Sequence, residues 1–312
     1  MIEQLTTRAP HLELEAGDPL FPEMLHYIEE PASRIHVIGS LGGLAAPSLA
    51  IVGARKATPY GLRCAKHFAR IAALRGITVI SGGAVGCDQA AHQGALEIGG
   101  RTIVVLGCGA DVVYPQKAQQ LYSQVLNEGG ALVSEAPWGA PPTKWGFRKR
   151  NRIIAALAQA TLIVEAGLPS GTFSTADATL AQGKEVMAVP GSIYAKESKG
   201  ANFLIAQGAI PVIDDESFED ALMQLFGVPE VAVALRDHTG DAQAEQAVKD
   251  RDLARGTQGR VLAALIQEPL RAEALCGVCG DDIIEVVRYL STMELAGLVE
   301  RLRDGRYAAT SV

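Results

Sequence analysis

The sequence predicts an α/β protein: a Rossmann-like, mostly parallel sheet with helices on both faces, followed by a small C-terminal winged-helix domain. Three observations predict it. Between residues 49 and 226, short continuous β-branched and apolar runs alternate with helical stretches, the pattern of strands buried on both faces. That rhythm stops over 228–257, where Asp237, Asp241, Glu245, Lys249, Asp250, Arg251 and Asp252 stand among alanines. From Gln258 a new pattern begins, three helical segments and then a turn signal at Asp304-Gly305.

Taken in order, residues 1–48 carry Pro10, Pro19, Pro22, Pro31 and Pro47 and predict an irregular lead-in with one short helix. The domain over 49–227 opens on the apolar run Leu49-Ala50-Ile51-Val52-Gly53. A helix over 60–75 ends at Gly76, and 77–81 reads as the next strand. A glycine-rich turn leads into a helix through His92 and Leu96. Strands follow at 102–106, 131–134, 161–165, 186–189 and 210–213, separated by helices over 119–127, 152–159, 175–182 and 202–207, with a last helix over 217–226. Residues 228–257 read as a linker or a solvated helix. In the final domain, 258–312, helices are expected over 260–267, 271–275 and 281–296, and strands over 298–301 and 306–308 flank the turn.

Composition bounds the partners. Of 312 residues, 48% are hydrophobic, enough for one large core and a smaller module. The net charge of -7 disfavours a polyanionic partner unless the basic residues cluster. Five cysteines in this length do not form a disulfide framework. The start carries Glu3, Arg8, Glu13 and Glu15 and has no apolar signal core. No apolar run approaches the roughly 18 residues that span a bilayer. A cytoplasmic protein with reduced thiols, and no membrane association, is expected. The pair Cys276 and Cys279 supplies two thiolates where structural zinc takes four ligands, and no histidine lies within 258–312. Two structural cysteines are expected, with no metal and no cofactor.

Four segments carry chemistry. Arg55 follows a strand ending in Gly53 and so places a guanidinium at the mouth of the sheet, a fork suited to phosphate oxygens; a plain surface arginine is the alternative. In Ser81-Gly82-Gly83-Ala84-Val85-Gly86-Cys87-Asp88, the glycines Gly82, Gly83 and Gly86 leave backbone N–H groups free for an anion, or else only permit close helix–sheet packing. His92 reads as a hydrogen-bonded structural residue. The run from Lys144 through Trp145, Gly146, Phe147, Arg148, Lys149, Arg150 and Asn151 to Arg152 has five basic residues, none acidic, and two aromatics. Cations that track a phosphodiester backbone, interleaved with rings that stack on bases, are the signature of single-stranded nucleic-acid binding. Ser170-Gly171-Thr172 and Gly191 lie in further loops at strand carboxyl ends, with Lys196 and Lys199 beyond the second. Four such loops predict one phosphate-facing rim.

Together these segments resemble the DprA/Smf family. The resemblance rests on Ile51-Val52-Gly53-Ala54-Arg55 with Thr58, Tyr60 and Gly61; on Ser81-Gly82 through Ala91-His92; on Gly109 with Tyr114-Pro115; and on Ser134-Glu135. It continues through Phe147 with Arg150-Asn151-Arg152-Ile153-Ile154, Val164-Glu165-Ala166, Ser170-Gly171, Ala188-Val189-Pro190-Gly191, and Gly200 with Asn202, Leu204-Ile205 and Gly208-Ala209. It covers roughly residues 18–226, and Glu294 to Val299 with Tyr307 resembles that family's winged helix. The resemblance implies a homodimer that binds and protects single-stranded DNA in a positively charged pocket and loads the recombinase RecA during natural transformation. It implies that Arg55 and Lys144 contact phosphate and that Phe147 stacks near a base. Ala54 departs from the family's usual serine, and Gly83, Val85 and Cys87 from its usual leucine, arginine and isoleucine. The family's N-terminal helical domain reads as truncated or absent.

Two rival classes are weighed. The fold also resembles the Lonely Guy phosphoribohydrolases, whose Pro-Gly-Gly-x-Gly-Thr-x-x-Glu motif ends on a catalytic glutamate. Here Gly171-Thr172 is followed by Thr175 at that place, leaving Glu165 and Asp177 as substitutes. A duplex-binding regulator is the other rival. Residues 258–312 hold six Lys/Arg against eight Asp/Glu, a poor footprint for duplex DNA. That module is expected to bind a protein or its own partner subunit.

Overall fold

The computed structural model describes residues 9–227 and, beyond them, 264–265, 270–279, 283, 286, 287, 290, 294, 299–302 and 306–309. Contacts divide the chain into two units, 1–234 and 235–312.

The first unit is built on a nine-stranded sheet. Its central strands are β3 (Ser48–Val52), β4 (Thr78–Ser81), β5 (Thr102–Leu106), β6 (Ala131–Ser134), β7 (Ala160–Ile163), β8 (Glu185–Ala188) and β9 (Ile210–Pro211), all mutually parallel. Every residue of β3 and β5 is buried. A strand covered on both faces has no solvent side on which to place polar residues, so its sequence is a continuous apolar run. The helices α1 (Pro59–Leu74), α2 (Cys87–Leu96), α3 (Gln119–Asn127), α4 (Lys144–Leu157), α5 (Phe173–Ala181), α6 (Lys199–Ala206) and α7 (Asp215–Phe226) supply the two covering layers. One apolar core packs Ile153, Ile154 and Leu157 of α4 against Val52, Ile80 and Val105; the other packs Ala65, Phe68 and Ala72 of α1 against Leu49, Ile51 and Phe218.

Two expectations are corrected here. The expected irregular lead-in over 1–48 is, in its described part from residue 9, two strands: β1 (His11–Glu15) and β2 (Arg34–Gly39) extend the sheet antiparallel beyond β6. The five prolines fall outside these strands, and Leu14, Ile35, Val37 and Ile38 are buried. The helix expected over 152–159 begins at Lys144, so the basic run occupies its first turns. Thr143 caps it, its hydroxyl accepting from the Gly146 N–H at 2.9 Å.

In the second unit, helix α8 (Ala272–Cys279) and the antiparallel pair β10 (Val299–Arg301) and β11 (Tyr307–Ala309) surround a small cluster of Leu265, Leu275, Val286, Leu290 and Val299. These two strands flank the expected turn, whose Asp304-Gly305 lie outside the described residues. The expected linker over 228–257 and most of the helices expected over 260–267 and 281–296 lie outside the described residues.

Candidate nucleic-acid interface

Strand order fixes where a ligand can sit. The order β6-β5-β4-β3-β7-β8-β9 means that the chain builds outward from β3 in one direction, then returns to build outward in the other. Loops leaving β3 and β7 therefore diverge, and a crevice opens beyond their carboxyl ends. A cleft of about 500 Å³ lies there. Val52 to Arg55 line it after β3, Gly167 and Pro169 to Thr172 after β7, and Lys144, Phe147, Arg148 and Asn151 from α4.

The cleft brings Arg55 and the basic run together. The Arg55 guanidinium carbon lies 5.2 Å from the centre of the Phe147 ring, in cation–π range. The Tyr114 ring flanks Phe147 at 5.4 Å and 31°. Arg55, Lys144 and Arg148 are exposed, and none of the three forms an ion pair among the described residues. Asn151 ties the opposite wall to α4: its Nδ2 donates to Ser174 Oγ at 2.7 Å and to the Gly171 carbonyl at 3.4 Å.

Arg150 lines the same cleft but is 6% exposed. Its Nη1 donates to the Gly82 carbonyl at 2.6 Å and to the Val105 carbonyl, and its Nε to Asn151 Oδ1 at 3.2 Å. This guanidinium clamps the ends of β4 and β5. Asp88 is buried nearby; burial pushes its carboxyl up, against the pull of the Arg150 charge.

Other expected site residues lie elsewhere. Arg152 does not line the cleft: its Nη2 donates to both Glu135 oxygens at 2.8 and 2.9 Å. Gly82 and Gly83 are buried, and a Cβ on either would collide with Arg150 or with the Tyr122 hydroxyl. Gly86 has φ 98°, and a Cβ there would strike the Ala54 carbonyl. These glycines permit close packing behind Arg55. The Gly191 N–H donates to Asn202 Oδ1 at 3.0 Å and its carbonyl accepts from Nδ2 at 2.9 Å. Neither Gly191 nor Lys199 lines the cleft. Of the four expected loops, three reach the cleft with the start of α4, the loop after β4 through Ala84 and not through its glycines; the Gly191 loop does not.

Tyr114 and Asp88 went unassigned in the sequence. An aromatic residue in a loop after β5 was the one available signal for the first; burial alone distinguishes the second. Neither substitute for a catalytic glutamate lines the cleft. Both Glu165 oxygens are engaged by Thr58, from its N–H at 2.8 Å and its hydroxyl at 2.7 Å. Asp177 is exposed and outside the cleft, where Thr175 stands instead. Among the described residues, no group of three or more His, Cys, Asp or Glu could hold a metal ion, and no helix is long and apolar enough to cross a membrane.

Fold and site together define a Rossmann-like protein with a cationic, aromatic-walled cleft at the sheet's switch point and a separate C-terminal module. The family model for DNA recombination-mediator protein A matches residues 14–225, and that for the DprA winged helix domain matches 243–305. The chain belongs to this family, DprA/Smf. Protein Smf of Escherichia coli is 36% identical over 296 residues, covering 95% of this chain and 76% of the relative. The X-ray structure of DNA processing protein A from Streptococcus pneumoniae superposes with a TM-score of 0.63 at 32% identity, covering 72% of this chain and 76% of that one. DNA processing protein A of Helicobacter pylori, solved for its single-stranded DNA binding mode, gives a TM-score of 0.63 at 28% identity, covering 69% of this chain and 97% of that one.

Proposed function

We propose that this chain binds single-stranded DNA in the cleft between the β3 and β7 loops, protects it, and passes it to the recombinase RecA during transformation and recombination. The chain acts as a cytoplasmic homodimer and as a binding protein, without catalysing a reaction. The observation that carries the DNA reading is that Arg55, Lys144 and Arg148, none of them ion-paired among the described residues, line one cleft with Phe147, Arg55 against its ring. Free cations neutralise phosphates, and a ring at the floor offers a stacking surface to an unpaired base. A base held in a duplex cannot reach such a ring without leaving its stack. The handover to RecA and the dimer rest on family membership.

The test is single-strand binding by the Arg55→Ala, Lys144→Ala double variant. Both side chains are exposed, so the fold survives the change. Loss of single-strand affinity supports the site; unchanged affinity removes it. Incubation with nucleoside monophosphates tests the enzyme class, and release of free base refutes a binding-only role.

A further inference from the structure

The cleft does not use all of the basic run. Trp145 precedes Phe147 by two residues, which on a helix turns it to a different face. It is 68% exposed, an unusual setting for an indole. It does not line the cleft. It lines a second groove of about 530 Å³, together with Tyr27, Glu29, Glu30, Arg148, Lys149 and Arg152. Arg148 is common to the cleft and this groove. A chain of phosphates leaving the cleft along Arg148 therefore enters the groove without crossing an acidic residue of α4.

The groove is built to receive a ring. Lys149 Nζ stands 5.1 Å over one face of Trp145 and pairs with Glu135 at 3.2 Å. Tyr27, 74% exposed, also lines the groove. Arg152 Nε and Nη1 are buried without a hydrogen-bond acceptor, Nε lying 4.0 Å from Glu30. The carboxylates of Glu29 and Glu30 repel phosphate from the wall opposite α4. A strand in the groove thus keeps its backbone by Arg148, beside which the Trp145 ring, three residues away on the same helix, offers a face to a base.

We infer that Trp145 is a second base-stacking platform, which extends the single-strand path from the cleft over Arg148 into the groove between α4 and the segment around Tyr27. This inference rests on the cleft being the primary site, and its test separates the two. Affinities are measured for oligothymidylates of about 4 and about 16 nucleotides, the range of single-strand site sizes. The Trp145→Ala variant should bind the longer oligomer about tenfold more weakly, as loss of one stack predicts, and the shorter one as the parent does. Trp145→Phe should restore most of the difference. Bound 16-mer should quench indole fluorescence in the parent and much less in Trp145→Phe. Equal affinity of the parent and Trp145→Ala for the 16-mer overturns the second platform and leaves the cleft standing. Equal weakening for both lengths also overturns it, since Trp145 would then act through the cleft. Failure of the parent to bind either oligomer overturns both readings.

Discussion

The guanidinium of Arg55, on the loop after β3, lies 5.2 Å from the centre of the Phe147 ring on α4, although the two stand 92 positions apart in the chain. The contact puts a cation and a stacking surface side by side at the switch point of the sheet. Each should fail in its own way when removed.

Lys144→Ala should weaken single-strand binding equally for every sequence and lower the slope of log affinity against log salt by about 0.7, the value for one phosphate contact on a single strand. Phe147→Ala should cost about 1–3 kcal/mol of binding and leave that slope unchanged, because a stack releases no counterions. Titrations at several salt concentrations check both. A reduced slope in Phe147→Ala would mean that the ring acts by placing Arg55.

Arg150 and Arg148 are two residues apart and should behave oppositely. Arg150→Met removes the donor to the Gly82 and Val105 carbonyls and should destabilise the fold by about 2–3 kcal/mol, read from urea unfolding. Arg148→Met, at an exposed position, should leave the unfolding midpoint in place and weaken DNA binding.

His92 makes stability depend on pH. Thr102 Oγ1 donates its proton to the Val79 carbonyl at 2.7 Å, so it accepts from His92 Nδ1 at 2.7 Å, and Nε2 is left buried without a partner. Burial pulls this imidazole down to about 3. An unfolded chain protonates the same ring near 6.5, so its folded value is the lower one. The contribution is complete above about pH 6.5 and is lost as pH falls below it, by at most about 1.4 kcal/mol per pH unit. His92→Asn keeps an N–H for Thr102 and cannot titrate. Its urea midpoint should fall less than the parent's between about pH 7 and pH 5; identical slopes would remove His92 from the account.

Much of this fold was legible because strands buried on both faces leave continuous apolar runs. Strands 102–106 and 131–134 and helix 119–127 fall where the pattern put them. Edge strands leave no such mark: β1 reads His-Leu-Glu-Leu-Glu, and among scattered prolines its alternation passed as irregular chain. The start of α4 was missed because Gly146 and Asn151 are weak helix formers, although Thr143 after two prolines is a start signal. Of the residues that line the cleft, Arg55, Lys144, Phe147, Arg148, Arg150 and Asn151 were legible as candidates from charge and aromatic spacing. The glycines of 82–86 were not separable into anion-facing and packing roles, because both need the same missing Cβ. Arg150 and Arg152 look alike in sequence, and only the position of Glu135 draws Arg152 away from the cleft.

Removal of residues 258–312 should leave single-strand affinity largely intact, because every cleft residue lies between Val52 and Thr175. Complete loss of binding in the truncated chain would place a DNA contact in the C-terminal module.

Preference for unpaired strands is the most direct test. In a gel shift with single- and double-stranded oligonucleotides of one sequence at two salt concentrations, the single strand should shift at much lower protein concentration. Raising the salt should weaken that shift while leaving the preference for the single strand. A duplex bound as tightly as the single strand would contradict the role given to Phe147 and the cleft.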